Sequence, residues 1–255
     1  MPIECRRPEE DPRVAEIVVD VPPVNALDVA GWFELARMVR AAGEDPTVGC
    51  VVLRAEGRGF NAGVDIKEMQ RTTGFDALIG ANRGCYAAFA AVYECAVPVI
   101  AAVHGFCLGG GIGLVGNADI IVASDDATFG LPEVDRGALG AATHLARLVP
   151  QHRMRSMVYT AEPASAQELA SYGSILKVVP RAELRATAMA VAAKITSKSL
   201  TVIRAAKESL NGIDPVDVKR SYRFEQGFTF ELNLSGVADE ARDAFVEGRD
   251  ADFEE

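Results

Sequence analysis

Histidine is scarce in this chain: His104, His144 and His152 are the only three, and no two fall at H-x-x-x-H spacing. The five cysteines (Cys5, Cys50, Cys85, Cys95 and Cys107) never form a C-x-x-C pair. Transition-metal sites draw on such short-range pairs, so no metal is expected. An odd number of scattered cysteines predicts reduced thiols rather than a disulfide framework. No stretch approaches the roughly 18 consecutive apolar residues of a membrane helix, and MPIECRRPEEDPR at the start lacks the apolar core of a secretion signal. No membrane partner and a cytoplasmic location are the resulting expectations. Clustered basic residues are missing as well. With 26 Lys and Arg against 36 Asp and Glu, the formal net charge is -10, which excludes a surface built to neutralise nucleic-acid phosphates.

What is abundant is apolar residue, 49% of 255 positions. That suffices for one main core with a helical appendage, not for several domains. Residues 14–21 (VAEIVVDV) read as a strand stopped by Pro22-Pro23, and Asp28 opens an amphipathic helix with Trp32, Leu35, Met38 and Val39 on one face. Residues 49–55 and 97–103 are nearly continuous apolar runs, as expected of parallel strands covered on both faces. Further strands are predicted at 119–123 and 175–179, with helices at 65–70 and 77–95 between. This alternation predicts parallel β-α-β units with ligands at the carboxyl ends of strands. Beyond Arg181 only helices are predicted, at 184–195, 200–210, 216–231 and 237–246. The chain is therefore divided into residues 1–180, a core carrying the catalytic and ligand sites, and residues 181–255, a helical region serving assembly and part of the ligand site.

Residues 111–116 spell G-x-G-x-x-G, but the next strand is predicted two residues later. A helix of about one to two turns cannot make a Rossmann crossover, so a dinucleotide is disfavoured. The glycines instead let backbone approach a ligand without a Cβ intervening. A helix starting there would aim unpaired N–H groups and its positive dipole end at a developing oxyanion. A second glycine-bearing loop, GRGFNAGVD, could supply another donor. Two donors on one oxygen make an oxyanion hole, in which removing one donor typically costs roughly 10²–10³-fold in rate.

These two loops resemble the enoyl-CoA hydratase/isomerase family, the crotonase superfamily. The likeness extends over Asn25-Ala26-Leu27, GRGFNAGVDIKEM (57–69), PVIAAVHGFCLGGGIGL (98–114), ADIIVASDDATFGLPEV (118–134), SAQELASYGSILKVVP (165–180) and the closing AFVEGR. The resemblance implies an α/β fold, a crotonase-like ββα spiral core with a C-terminal helical trimerisation region, assembled as trimers or hexamers. It assigns the oxyanion donors to the N–H groups of Val64 and Gly110, and the acid–base carboxylate to Glu133. Coenzyme A would lie along Ala62, Val64 and Ile66, with Lys67 or Arg249 reaching its phosphates. CoA is then part of the acyl-CoA substrate, and no separate cofactor is implied. Asp135 either shares the pocket or, as the preferred reading, pairs with Arg136.

One departure bears on the reaction. Hydratases of the family hold a water between two glutamates, and the first of these falls here on Gly113. A single remaining carboxylate suits an enolate-forming step with one base. Candidates are retro-Claisen cleavage of a carbon–carbon bond in a cyclic keto acyl-CoA, Δ3,Δ2-enoyl-CoA isomerisation, or an altered hydration; an inactive CoA-ester-binding or assembly protein is the non-enzymatic alternative. Residues 132–142 (PEVDRGALGAA) further resemble actinobacterial members that open a steroid-derived ring held as its CoA ester. Gly113, Ala138 and Gly140 together predict room for a bulky acyl group. His104 is expected to be structural, His144 core or surface, Phe89 and Tyr86 core with lining of the acyl pocket as the alternative, and neither Cys107 nor Ser124 sits in a nucleophile setting.

Overall fold

The structure is a computed structural model describing residues 2–72 and 74–253. Its main sheet has six strands in the order β1 (Ile3–Arg6), β2 (Val14–Val19), β3 (Cys50–Ala55), β4 (Val99–Val103), β6 (Ile120–Ser124) and β9 (Lys177–Val179). β2 to β9 are parallel throughout, as the apolar runs predict, while β1 adds an antiparallel edge that the sequence pattern did not reveal. Alternate residues of the parallel strands serve two separate cores. Ala15, Ile17, Val51, Leu53, Val99 and Ala101 point to the larger one, and Val14, Val52, Ile100, Ala102 and Val122 to the other. Burial on both faces is why these strands carry no polar alternation.

Helices α1 (Val29–Glu44) and α3 (Asp76–Tyr93) cover the first face. The Asp28 carboxylate caps α1 by accepting from the Gly31 N–H at 2.7 Å, and Trp32, Leu35, Ala36 and Val39 then fall on the buried stripe. Each large side chain buried this way contributes roughly 1.5–3 kcal/mol. Helix α8 (Leu184–Thr196) covers the second face through Leu184, Ala188 and Ala192.

A smaller sheet stands beside the main one: β5 (Phe106–Leu108) is parallel to β7 (Thr128–Gly130), which pairs antiparallel with β8 (Ala164–Ser165). One turn of the chain runs strand, short strand, helix, with β4 and β5 leading into α4 (Gly110–Val115); in the earlier turns the isolated bridges Leu27–Val64 and Asn61–Cys107 stand where a short strand would, before α1 and before α2 (Ile66–Arg71). This is the ββα spiral, and it replaces the uniform β-α-β pattern expected from the long strands alone. After β7 come α5 (Ala142–Leu145), α6 (Gln151–Thr160) and α7 (Ala166–Ser171). The C-terminal α9 (Leu200–Gly212), α10 (Val218–Leu234) and α11 (Val237–Glu247) lie within one to three residues of the predicted limits. Among the described residues, no helix is long and apolar enough to cross a membrane.

Candidate active site

The glycine loop after β3 is held by two buried asparagines. Asn25 donates to the carbonyls of Glu56 and Gly59, both at 2.8 Å, and accepts from the Val21 N–H at 2.7 Å. Asn61 donates to the Asn25 carbonyl at 2.6 Å and accepts from the Gly63 N–H at 2.8 Å. Backbone bonds complete the frame: Asp65 N–H to Leu27 O at 2.9 Å, Leu108 N–H to Asn61 O at 2.9 Å, and Gly109 N–H to Gly130 O at 3.1 Å. Within this frame the N–H groups of Val64 and Gly110 have no acceptor among the described residues. Both residues line one cavity of about 560 Å³, a size suited to a small-molecule ligand.

The turns carrying these two N–H groups abut. A Cβ on Gly63 would stand 3.2 Å from the Gly110 nitrogen, and one on Gly110 would stand 2.7 Å from the Trp32 ring. Gly109 adopts φ 55° and ψ -114°, a conformation closed to side chains, and its missing Cβ would stand 2.7 Å from Glu133 Oε1. The loop can therefore bring Gly110 and the Glu133 carboxyl together only with glycine at both positions. Glu133 sits on a 3-10 turn, Pro132–Arg136, and its Oε2 is buried without a hydrogen-bond partner among the described residues. Burial pushes its pKa up to about 8, against a backbone hydrogen bond and the Arg136 charge, which both lower it.

Gly113 does not create the room predicted for it. A Cβ there would stand 2.2 Å from Phe89 Cζ, so a phenyl ring occupies the place where a second glutamate would project. Phe89 is held edge-on by Trp32, with centroids 5.7 Å apart at 88°, and by His144 at 5.0 Å; Tyr222 packs on it at 5.2 Å. Phe89, Tyr222 and Cys85 line the cavity with Glu133, as do Ala138 and Gly140. Tyr86, one turn before Phe89 on α3, is outside the cavity lining and stacks with Arg223 instead, at 4.0 Å.

Ala62, Ile66 and Lys67 line the same cavity as Val64, at the edge formed by α2. Arg249 is not among the lining residues: it pairs with Glu240 and Glu247 at 2.5 and 2.6 Å. Asp135 is exposed, outside the cavity, and makes no ion pair with Arg136 among the described residues. The preferred salt bridge between those two is thus absent: on a 3-10 turn adjacent residues point apart, and Arg136 turns instead to the Pro132 carbonyl and the Phe245 ring.

The other polar candidates are structural. His104 Nε2 contacts the Gly57 carbonyl at 3.1 Å. His144 Nδ1 contacts Asn117 at 3.0 Å, and burial lowers its pKa to about 3, so it stays neutral. Burial raises the Cys107 thiol well above its ordinary range, opposite to what a nucleophile needs. Ser124 donates to Asp126 and makes no hydrogen bond to a histidine among the described residues. Helix α4 is six residues long, too short for a dinucleotide crossover. Tyr222, Thr229, Arg242 and Phe245 line the cavity from α10 and α11 and are not among the residues the sequence singles out. No local pattern marks them, because their contribution depends on helices distant in sequence folding back over the site.

A profile of the family described as "Enoyl-CoA hydratase/isomerase" matches residues 9–255. A protein of Rhodococcus jostii (strain RHA1) called "(7aS)-7a-methyl-1,5-dioxo-2,3,5,6,7,7a-hexahydro-1H-indene-carboxyl-CoA hydrolase" is 69% identical over 234 residues, 92% of this chain and 91% of that one. A Mycobacterium tuberculosis (strain ATCC 25618 / H37Rv) protein of the same name is 66% identical over 246 residues, 96% and 99% of the two chains. Among solved structures, a carnitinyl-CoA hydratase from Mycobacterium avium superposes with a TM-score of 0.86 at 30% identity, covering 99% of this chain and 98% of that one.

Proposed function

The chain belongs to the enoyl-CoA hydratase/isomerase family, and from that premise we propose that it hydrolyses a carbon–carbon bond in a bulky cyclic keto acyl-CoA thioester, a retro-Claisen ring opening in steroid catabolism. One observation carries the reading. Two N–H groups without an acceptor among the described residues, Val64 and Gly110, line one cavity with the buried carboxyl of Glu133, while Phe89 fills the space a glutamate at Gly113 would need. Two relatives of high identity are named as hydrolases of such a ring ester.

The chemistry follows from the layout. The thioester carbonyl accepts from Val64 and Gly110. Glu133 takes a proton from water, and the water oxygen adds to the ring ketone. The carbon–carbon bond then breaks, and its electron pair passes into the thioester as an enolate whose oxygen the two N–H groups stabilise. Glu133 returns the proton to carbon. One water is consumed, one carboxyl group is formed, and the thioester survives. Ala62, Val64, Ile66 and Lys67 are the CoA side of the cavity in this reading.

Turnover of the indene-carboxyl-CoA ester in oxygen-18 water tests it. The product should be heavier by one water, carry label in a new free carboxyl, and release no CoA thiol. Isomerisation would leave the mass unchanged; hydration would add water without a carboxyl. Either result overturns the proposal.

Asn61→Ala removes the acceptor of the Gly63 N–H and the donor to Asn25 O. Misplacing the adjacent donor should lower kcat by roughly 10²-fold, and the orphaned backbone groups should cost about 1–3 kcal/mol each. Steady-state kinetics alongside thermal melting would show both losses. The C-terminal helices are the proposed interface of a homotrimer or hexamer, since Phe224 and Leu234 of α10 are 71% and 72% exposed, and apolar side chains so placed mark interaction surfaces. Light scattering should give a mass of three or six 27.1 kDa chains; a monomer at micromolar concentration would refute this.

A further inference from the structure

Arg136 follows Glu133 by three residues on the 3-10 turn Pro132–Arg136. Side chains at that spacing lie one above the other, and both residues line the same cavity. Arg136 is half-buried, with its guanidinium carbon 4.1 Å above the Phe245 ring. Its Nη1 donates to the Pro132 carbonyl at 3.1 Å. Among the described residues its other N–H groups have no acceptor, and it makes no ion pair. The negative charges acting on it are those of Glu133 and Asp135. Asp135 is exposed to water, and burial keeps Glu133 largely protonated at neutral pH. A planar cation with unused donors is therefore held at the cavity wall beside the acid–base group.

The reaction above creates a matching anion. A neutral ketone becomes a carboxylate, and the new charge arises at the carbon attacked by the water that Glu133 activates. We propose that Arg136 binds this carboxylate through its guanidinium fork, and before it the ketone oxygen from which it forms. The inference rests on the ring-opening reading and deepens it: the substrate class is a CoA ester bearing a second, ketone carbonyl within reach of the Glu133–Arg136 face. A fork matched to a planar carboxylate gives geometric selectivity that a point charge lacks. The phosphates of CoA offer the same anionic chemistry, so the test must separate the two sources.

Calorimetry on the full-length protein would compare the ring-opened carboxylate product, its primary amide, and CoA itself. Arg136→Met should weaken the carboxylate product by roughly ten- to hundred-fold, leave CoA unchanged, and abolish the preference for acid over amide. Arg136→Lys should restore part of that preference, and it decides the matter if the Met variant does not fold. Unchanged product affinity in Arg136→Met, or an equal loss for CoA, would overturn the proposal, the latter assigning Arg136 to a phosphate. Product binding needs no turnover. A wild-type protein that opens no ring yet selects the carboxylate through Arg136 would sink the reaction and spare the anion site, and one that opens the ring without selecting it would do the reverse.

Discussion

Glu133→Gln is expected to lower kcat by about 10²–10⁴-fold, the usual contribution of a general acid–base group, while CoA-ester affinity stays within a few-fold of wild type. Gln keeps the shape of the side chain but cannot take a proton from water or return one to carbon. The protonation state of Glu133 gives the same experiment a second axis. Because burial holds its pKa at about 8, only a minority of the free enzyme carries the base form at neutral pH. The wild-type kcat/KM should therefore rise about tenfold per pH unit below that value and level off above it, and the residual activity of Glu133→Gln should lack this limb. Undiminished turnover in the variant would remove Glu133 as the base.

The same shift has a stability consequence with a definite sign. The folded protein binds the Glu133 proton more tightly than the unfolded chain, whose carboxyl titrates near 4.5. Its favourable contribution is complete below that ordinary value and is lost as pH rises through about 8. Gln removes the titration. The variant should gain stability relative to wild type between about pH 6 and about pH 9, by an amount on the order of a few kcal/mol. Denaturant melts of both proteins at the two pH values would measure it. On the proposed role of Glu133, activity and stability should pull in opposite directions at one carboxyl, the pattern of a buried group kept for chemistry.

Much of this arrangement could be read from local sequence. The runs at β3 and β4 are apolar because both faces are covered, and the amphipathic stripe of α1 begins at a capping Asp28, so period and cap alone located them. That Val64, Gly110 and Glu133 share one cavity could be anticipated because their neighbours match a family pattern residue by residue. The antiparallel β1 and the small β5–β7–β8 sheet could not. These strands are two to four residues long, too short to show a period of two. Nor could the cavity walls contributed by Tyr222 and Phe245, which arrive from helices more than eighty residues beyond Glu133 in the chain. From sequence, Arg136 reads only as a neighbour for Asp135, since adjacency does not tell which side of a 3-10 turn a side chain takes.

Gly113 was the most misleading position, because an absent side chain reads as space and the structure fills that space with Phe89. Gly113→Glu, which rebuilds the glutamate pair of a hydratase on paper, is accordingly expected to disrupt the protein instead of converting it. The new Cβ would stand 2.2 Å from Phe89 Cζ, and the ring cannot retreat through Trp32, His144 and Tyr222, which pack around it. Overpacking of this kind costs about 1–3 kcal/mol even for small insertions, and an uncompensated carboxylate in an apolar wall adds a desolvation penalty. Gly113→Ala, which carries the first term alone, should lower Tm by about 2–12 °C for a chain of this size. Gly113→Glu should fall well below that or fail to fold. Phe89→Ala combined with Gly113→Glu opens the occupied volume, so the double variant should be more stable than the sum of the single losses predicts, the signature of contacting sites. If Gly113→Glu alone melts like wild type and hydrates a straight-chain enoyl-CoA, Phe89 does not block the second carboxylate, and the argument from a single base loses its footing.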